Sequence, residues 1–279
     1  MDTLKRLVIF ACLLFFNAYG QTKPKFGGLK GCIKQVLEEN FKPEQNTGQI
    51  ILGDKLDYKG KRTTLKIFDK KGNCIRVNSY TLNNKIRSFY ISEFDSLECC
   101  SKVSYFSDDS LLTGYILNIC NKRGNDSIGI GYDKNNNIVN KYIWHYNKNN
   151  QLIETLEYKF NNLERKTIYQ YDKFGNQIEI RIFSAKDSLI GMYKNEFDSI
   201  GNKIIEMIYS KENLYSIKHI KYDKNQNITE ELTYNTQGKL IEKINYEYKY
   251  DEKGNWIERL EFNLDIPQII TTRKIHYYD

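Results

Sequence analysis

Tyr171-Asp172-Lys173-Phe174-Gly175-Asn176-Gln177-Ile178 is the stretch that decides how this chain reads. An Asp followed three residues later by Gly, between runs that alternate apolar and polar, has the form of a tight β-hairpin turn. Asp supplies a side-chain acceptor to the backbone of a type I turn. Gly takes the closing position at positive φ, where a Cβ is penalised. The residues that follow have the period of a strand: Ile178, Ile180 and Ile182 alternate with Gln177, Glu179 and Arg181.

The phrase recurs. It reads Phe68-Asp69-Lys70-Lys71-Gly72-Asn73, Phe197-Asp198-Ser199-Ile200-Gly201-Asn202 and Tyr250-Asp251-Glu252-Lys253-Gly254-Asn255. The turn pairs are therefore Asp69 and Gly72, Asp172 and Gly175, Asp198 and Gly201, and Asp251 and Gly254. Looser copies begin at Phe94, Tyr132, Tyr146 and Tyr222, and the chain stops on Tyr278-Asp279, the opening of another. In three of these copies the Gly position holds Asn136, Asn150 or Gln226. Asn tolerates positive φ; Gln226 is expected to be strained or to mark a different turn. From Tyr146 the aromatic anchors fall at 171, 197, 222, 250 and 278, with weaker turns between them at Asn161-Asn162, 184–188, 210–213 and 235–238. Each half-unit of about 13 residues holds one strand of eight to ten residues and a turn.

These spacings predict an all-β chain: an antiparallel β-meander of hairpin repeats with a period of about 25–28 residues. Tyr246, Tyr248 and Tyr250 alternate with Glu247 and Lys249, and Tyr142, Trp144 and Tyr146 keep the same period. One sheet face is expected to be apolar and aromatic, the other to carry Lys, Glu and Asn. No long helix is available to cover the apolar face, so the sheet must curl, either into a twisted spiral or into a barrel or two-layer wrap. Residues 28–42 read as a short N-terminal helix, with Ile33, Val36 and Leu37 in one stripe and Pro43 closing it, capping the open end of the sheet. A short strand is expected at Gln49–Leu52, the repeats from residue 61, and a less regular part of the sheet over 94–131.

Tyr-Asp-x-x-Gly-Asn followed by an aliphatic residue resembles the YD repeat of the RHS/YD-repeat proteins, β-rich bacterial extracellular chains. The resemblance covers roughly residues 61–279, with a period longer than the usual unit of about twenty residues and without a toxin module. It implies a β-meander architecture and an envelope address.

Residues 1–20 read as a secretory signal peptide: Lys5-Arg6, an apolar run from Leu7 to Phe16, and Ala18-Tyr19-Gly20 before the cleavage point. The expected division is then 1–20 signal peptide, 21–60 N-terminal segment with its helix, and 61–279 repeat domain. Export places the protein in the periplasm, at the cell surface or outside the cell. No transmembrane segment is expected in the mature chain. An outer-membrane barrel is disfavoured, because the turns are short at both ends and the mean hydropathy is −0.62. Without Cys12, five cysteines remain (Cys32, Cys74, Cys99, Cys100 and Cys120), so they cannot all pair within one chain. The adjacent Cys99 and Cys100 are expected to pair elsewhere than with each other. The pairing itself is open.

Nothing in the sequence assembles a catalytic centre. His145, His219 and His276 sit inside strand patterns of different repeats, where a packing or surface role is the ordinary one. One carboxylate per Asp-x-x-Gly-Asn phrase is too few for a calcium loop, and the cysteines form no C-x-x-C and have no His nearby, so no metal site or cofactor is expected. The formal charge of +7 spreads over Lys mixed evenly with Glu, which argues against nucleic acid. The expectation is an exported, non-enzymatic repeat protein of the cell envelope that presents a β-sheet surface to a protein or glycan partner. The alternative is a structural or delivery component related to RHS-type toxin systems.

Overall fold

The computed structural model describes residues 28–57 and 60–279. Their strands run β1 Ile33–Asn46, β2 Gln49–Lys55, β3 Thr64–Phe68, β4 Cys74–Tyr80, β5 Ile86–Phe94, β6 Cys100–Ser107, β7 Leu112–Cys120, β8 Asp126–Asp133, β9 Ile138–Tyr146 and β10 Leu152–Lys159. They continue as β11 Asn162–Tyr171, β12 Gln177–Ser184, β13 Leu189–Phe197, β14 Lys203–Ser210, β15 Asn213–Tyr222, β16 Ile228–Asn235, β17 Leu240–Tyr250, β18 Trp256–Asn263 and β19 Ile266–Tyr277. The signal-peptide reading lies outside the described residues.

From β3 to β19 every strand pairs antiparallel with the next, as a meander must. The sheet then closes. The first half of β1 lies between β19 (Val36 opposite Ile275, Asn40 opposite Thr271) and β3 (Leu37 opposite Leu65). The result is an 18-strand barrel. The second half of β1 pairs only with β2, forming a hairpin at the barrel mouth.

Of the forms expected for the sheet the barrel is the one found, not the spiral, and two other expectations are corrected. The predicted N-terminal helix is strand β1. An apolar triplet at 33, 36 and 37 fits a helical stripe, but in the strand Val36 and Leu37 point to opposite faces. Two open sheet edges, each with a row of unsatisfied backbone groups, outweigh the local preference. Pro43 does not end the segment. It sits at the register shift between Phe41 and Pro43, where a missing N–H does not break the ladder. The stretch 94–131 is also regular: β6, β7 and β8 have the same turns as the rest.

The residue pairs, followed once around the barrel, return to β1 displaced by about 20 residues, which with ordinary strand spacing gives a tilt of about 40° and a radius of about 17 Å for a round section. An inner side-chain layer of about 5 Å, half the distance between packed sheets, leaves a bore of roughly 20 Å or more.

The two faces differ in crowding, which identifies the inner one. The face with Thr155, Thr167, Tyr169, Ser216, Ile220, Thr233 and Thr271 is buried in mid-strand. The face with His145, Gln170, Arg181, Glu196, His219, Lys221 and Glu247 is exposed. Side chains converge on the concave side and diverge on the convex one, so the first set faces the lumen. Neither face is purely apolar. The lumen mixes Tyr and Trp with Glu, Arg and Thr. The outer wall mixes Ile, Leu and Phe with ion-paired charges such as Lys221 to Glu230 (2.7 Å) and Lys249 to Glu258 (2.7 Å).

Candidate functional site: a hollow lumen and its turn-lined rim

From β3 onward the odd-to-even turns all lie at one end of the barrel. They begin at Asp69, Asp95, Asn121, Asn147, Asp172, Asp198, Asp223 and Asp251, and each closes with the same pair of backbone bonds. In the turn after β11, Asp172 N–H donates to Asn176 O and Gly175 N–H donates to Asp172 O. Asp172 Oδ1 accepts the N–H groups of Phe174 and Asn176, while Oδ2 accepts the Asn176 side-chain amide. Asp69, Asp198 and Asp223 bind their fifth residue in the same way. Gly72, Gly175, Gly201 and Gly254 have φ between 76° and 92°. Gln226, expected to be strained or to mark another turn, makes the same turn at φ 64°. The copy beginning at Tyr132 lies at the opposite end, because it joins an even strand to an odd one.

The fifth residue, Asn, is a partner that the sequence reading missed. Its recurrence after Gly was visible, but its task of donating to the Asp carboxylate was not. The anchor tyrosines were also only half understood. Tyr250 Oη donates to Asp223 of the preceding turn and accepts from Asn227 Nδ2 (3.0 Å); Tyr277 contacts Asp251 and Asn255 in the same manner. Tyr171 Oη reaches Leu152 O (2.8 Å), Tyr222 Oη reaches Lys203 O (2.9 Å), and Tyr278 Oη reaches Phe68 O (2.6 Å). At these tyrosines the repeats along the rim are tied to their neighbours, and Tyr278 ties the last to the first.

The lumen wall carries rings and paired charges. Arg273 Nε donates to Glu38 Oε2 (3.0 Å) and lies 3.3 Å from the centre of Trp256, whose other neighbours are Arg259 and Tyr248. Tyr246 Oη donates to Glu231 Oε2 (3.2 Å), and Lys218 Nζ reaches Glu231 Oε1 (3.3 Å). Tyr142 stacks on Trp144. Burial pushes Tyr142, Tyr169 and Tyr248 up to about 12, and burial with the Glu231 and Glu261 carboxylates pushes Tyr246 higher still. These phenols stay protonated and act as donors and ring surfaces. Burial also raises Glu157 and lowers Arg273, the latter opposed by Glu38. At the other end Lys61, just ahead of β3, reaches Glu261 of β18 (2.7 Å).

The three histidines are on the outer wall. His145 Nδ1 lies 2.7 Å from Glu154 Oε2, and His219 packs edge-on against Tyr234. They come from separate strands, and the barrel does not bring them together. Of the described cysteines, Cys99 and Cys120 form a disulfide, and Cys32, Cys74 and Cys100 are outside any disulfide.

No protein-family model and no curated protein matches the chain. Solved structures do. The Photorhabdus luminescens Tc holotoxin pore is similar over 85% of this chain and 14% of that one, with 12% identity and a TM-score of 0.38. A porin-like protein from Bacteroides uniformis is similar over 94% of this chain and all of its own, with 8% identity and a TM-score of 0.45. TcdB2-TccC3 without its hypervariable C-terminal region is similar over 72% of this chain and 14% of that one, with 10% identity and a TM-score of 0.27. This chain thus spans a small part of the toxin-complex chains. Likenesses this low say nothing of what the chain does.

Proposed function

We propose that this is an exported, non-enzymatic binding module of the cell envelope whose partner enters the hollow of the barrel. One observation carries the reading. The lumen wall offers half-exposed rings (Tyr90, Tyr142, Tyr193, Tyr246 and Tyr248) interleaved with guanidinium and carboxylate groups, around a bore wider than a single extended polymer chain. Rings with polar tips beside paired charges suit a glycan chain, which presents flat apolar sugar faces and a rim of hydroxyls. A lipid-spanning role is disfavoured, since Arg181, Lys194, Glu247 and Lys274 place charge in mid-strand on the outer wall.

The alternative, a structural or delivery component, draws support from closure itself: a wall with no free sheet edge encloses a volume as a vessel does. Binding measurements separate the two. Envelope glycans are titrated against the protein by calorimetry, with Tyr193→Ala and Tyr246→Ala testing the lumen and Tyr234→Ala testing the outer wall. Loss of about tenfold or more in affinity, about 1.4 kcal/mol, for the lumen variants alone supports the glycan reading. Equal affinity in all variants, or no binding to any glycan, sinks it and leaves the vessel.

A further inference from the structure

We propose that the reduced protein holds a zinc ion between Cys99, Cys120 and Asp126, so that the same atoms serve as a disulfide when oxidised and as a metal site when reduced. Cys99 is the fifth residue of the turn after β5, where other repeats have Asn or, once, Gln151. Cys120 precedes the next turn at this rim, where other repeats have an aromatic residue. The pair thus stands at the place of the Tyr250–Asn227 contact. Asp126 opens β8 one residue beyond that next turn, at a position that holds Cys74, Leu152, Gln177 or Trp256 in other repeats.

Asp126 is buried, 9% exposed, and Cys99 is 2% exposed. The Asp126 Oδ1 atom lies 3.6 Å from Cys99 Sγ and 3.5 Å from Cys120 Sγ. The ligand atoms Sγ, Sγ and Oδ1 lie within 4.8 Å of one another. Zinc takes sulfur at about 2.3 Å and carboxylate oxygen at about 2.0–2.2 Å in a tetrahedron, whose sulfur–oxygen edge is then about 3.5–3.6 Å. In the oxidised form both sulfurs already lie beside this oxygen, and breaking their bond lets them part to the wider sulfur–sulfur edge. A water molecule completes the fourth position.

The chemistry balances. A dithiol reductant delivers two electrons and two protons to the disulfide and becomes a disulfide itself. Zinc then displaces the two thiol protons, and the Asp126 carboxylate offsets part of its charge. A soft, nitrogen-free Cys2Asp set favours zinc or cobalt(II) over calcium or magnesium.

The test uses the full chain, reduced by dithiothreitol, freed of reductant without oxygen and titrated with cobalt(II), then zinc. The expected result is one equivalent of tetrahedral, thiolate-bound cobalt, displaced by zinc, with no binding to the oxidised protein. Asp126→Asn, which keeps the disulfide and so folds before reduction, is expected to weaken binding at least about tenfold. Cys100→Ser is expected to change nothing. The proposal is overturned if reduced protein gives no tetrahedral spectrum, if the spectrum survives Cys120→Ser, if it depends on Cys100, or if reduced protein stays unfolded with zinc present.

Discussion

At position 175 a glycine sits at φ 92°, and a Cβ there would meet only Gln151 Nε2 at 3.7 Å, an ordinary contact. The penalty for Gly175→Ala is therefore one of backbone conformation: a loss of about 1 kcal/mol in urea unfolding. Gln226 does the same task at φ 64° with a side chain, so Gln226→Gly is expected to gain up to about 1 kcal/mol. The turn carboxylates set an acid limit. Backbone and amide donors of Asn202 and Ile200 hold Asp198 below its ordinary value of 3.8. Asp172, Asp223 and Asp251 are also lowered, because donors such as Asn176, Tyr250 and Tyr277 outweigh the opposing effect of burial. A carboxylate with a lowered folded pKa stabilises the fold fully above its unfolded value, and that contribution disappears as pH falls through the folded one. Stability is thus expected to drop below about pH 4, and Asp198→Asn to flatten that drop in thermal melts recorded between about pH 5 and pH 3.

Strand β1 is the element on which closure depends. Ile33 and Val36 are 0% and 3% exposed and pack with Phe68 of β3 beside Ile275 and Tyr277 of β19. Ile33→Ala is expected to cost about 3 kcal/mol, read as a lowered melting temperature and faster proteolysis near β1. This element was also the least legible in the sequence. The hairpins were plain because Asp, Gly and period-two alternation act locally and repeat. β1 has no such turn ahead of it, and its conformation is decided by strands about thirty and two hundred and forty residues away in sequence, β3 and β19. The lumen site was half legible for the same kind of reason. Alternation put Tyr246, Tyr248 and Tyr142 on one face, but no local pattern tells a concave face from a convex one. The Cys99–Cys120 pairing was open, since it depends on the register between β5–β6 and β7–β8.

At the scale of the molecule, the described ends of the chain meet at the turn-lined rim, where Tyr278 N–H donates to Cys32 O (2.8 Å). The barrel therefore has no privileged start. A circular permutant with Asp279 joined by a short linker to Leu29 and opened in the turn between Lys148 and Asn149 is expected to keep the circular dichroism spectrum and a melting temperature within a few degrees. Loss of the β spectrum would show that order of synthesis, and not ring geometry, selects the fold.

The partnership of β1 with β19 also constrains time. The first barrel strand to be made cannot find one of its two neighbours until the last has been made. Through that interval the growing sheet has two raw edges, and β1 has only β2 and then β3 for company. The hairpin with β2 gives the waiting strand an immediate local partner. Closure is then the final step, slow because it joins the two ends of the sequence, and an assembly halted short of it is a sheet with two edges open to other copies of itself.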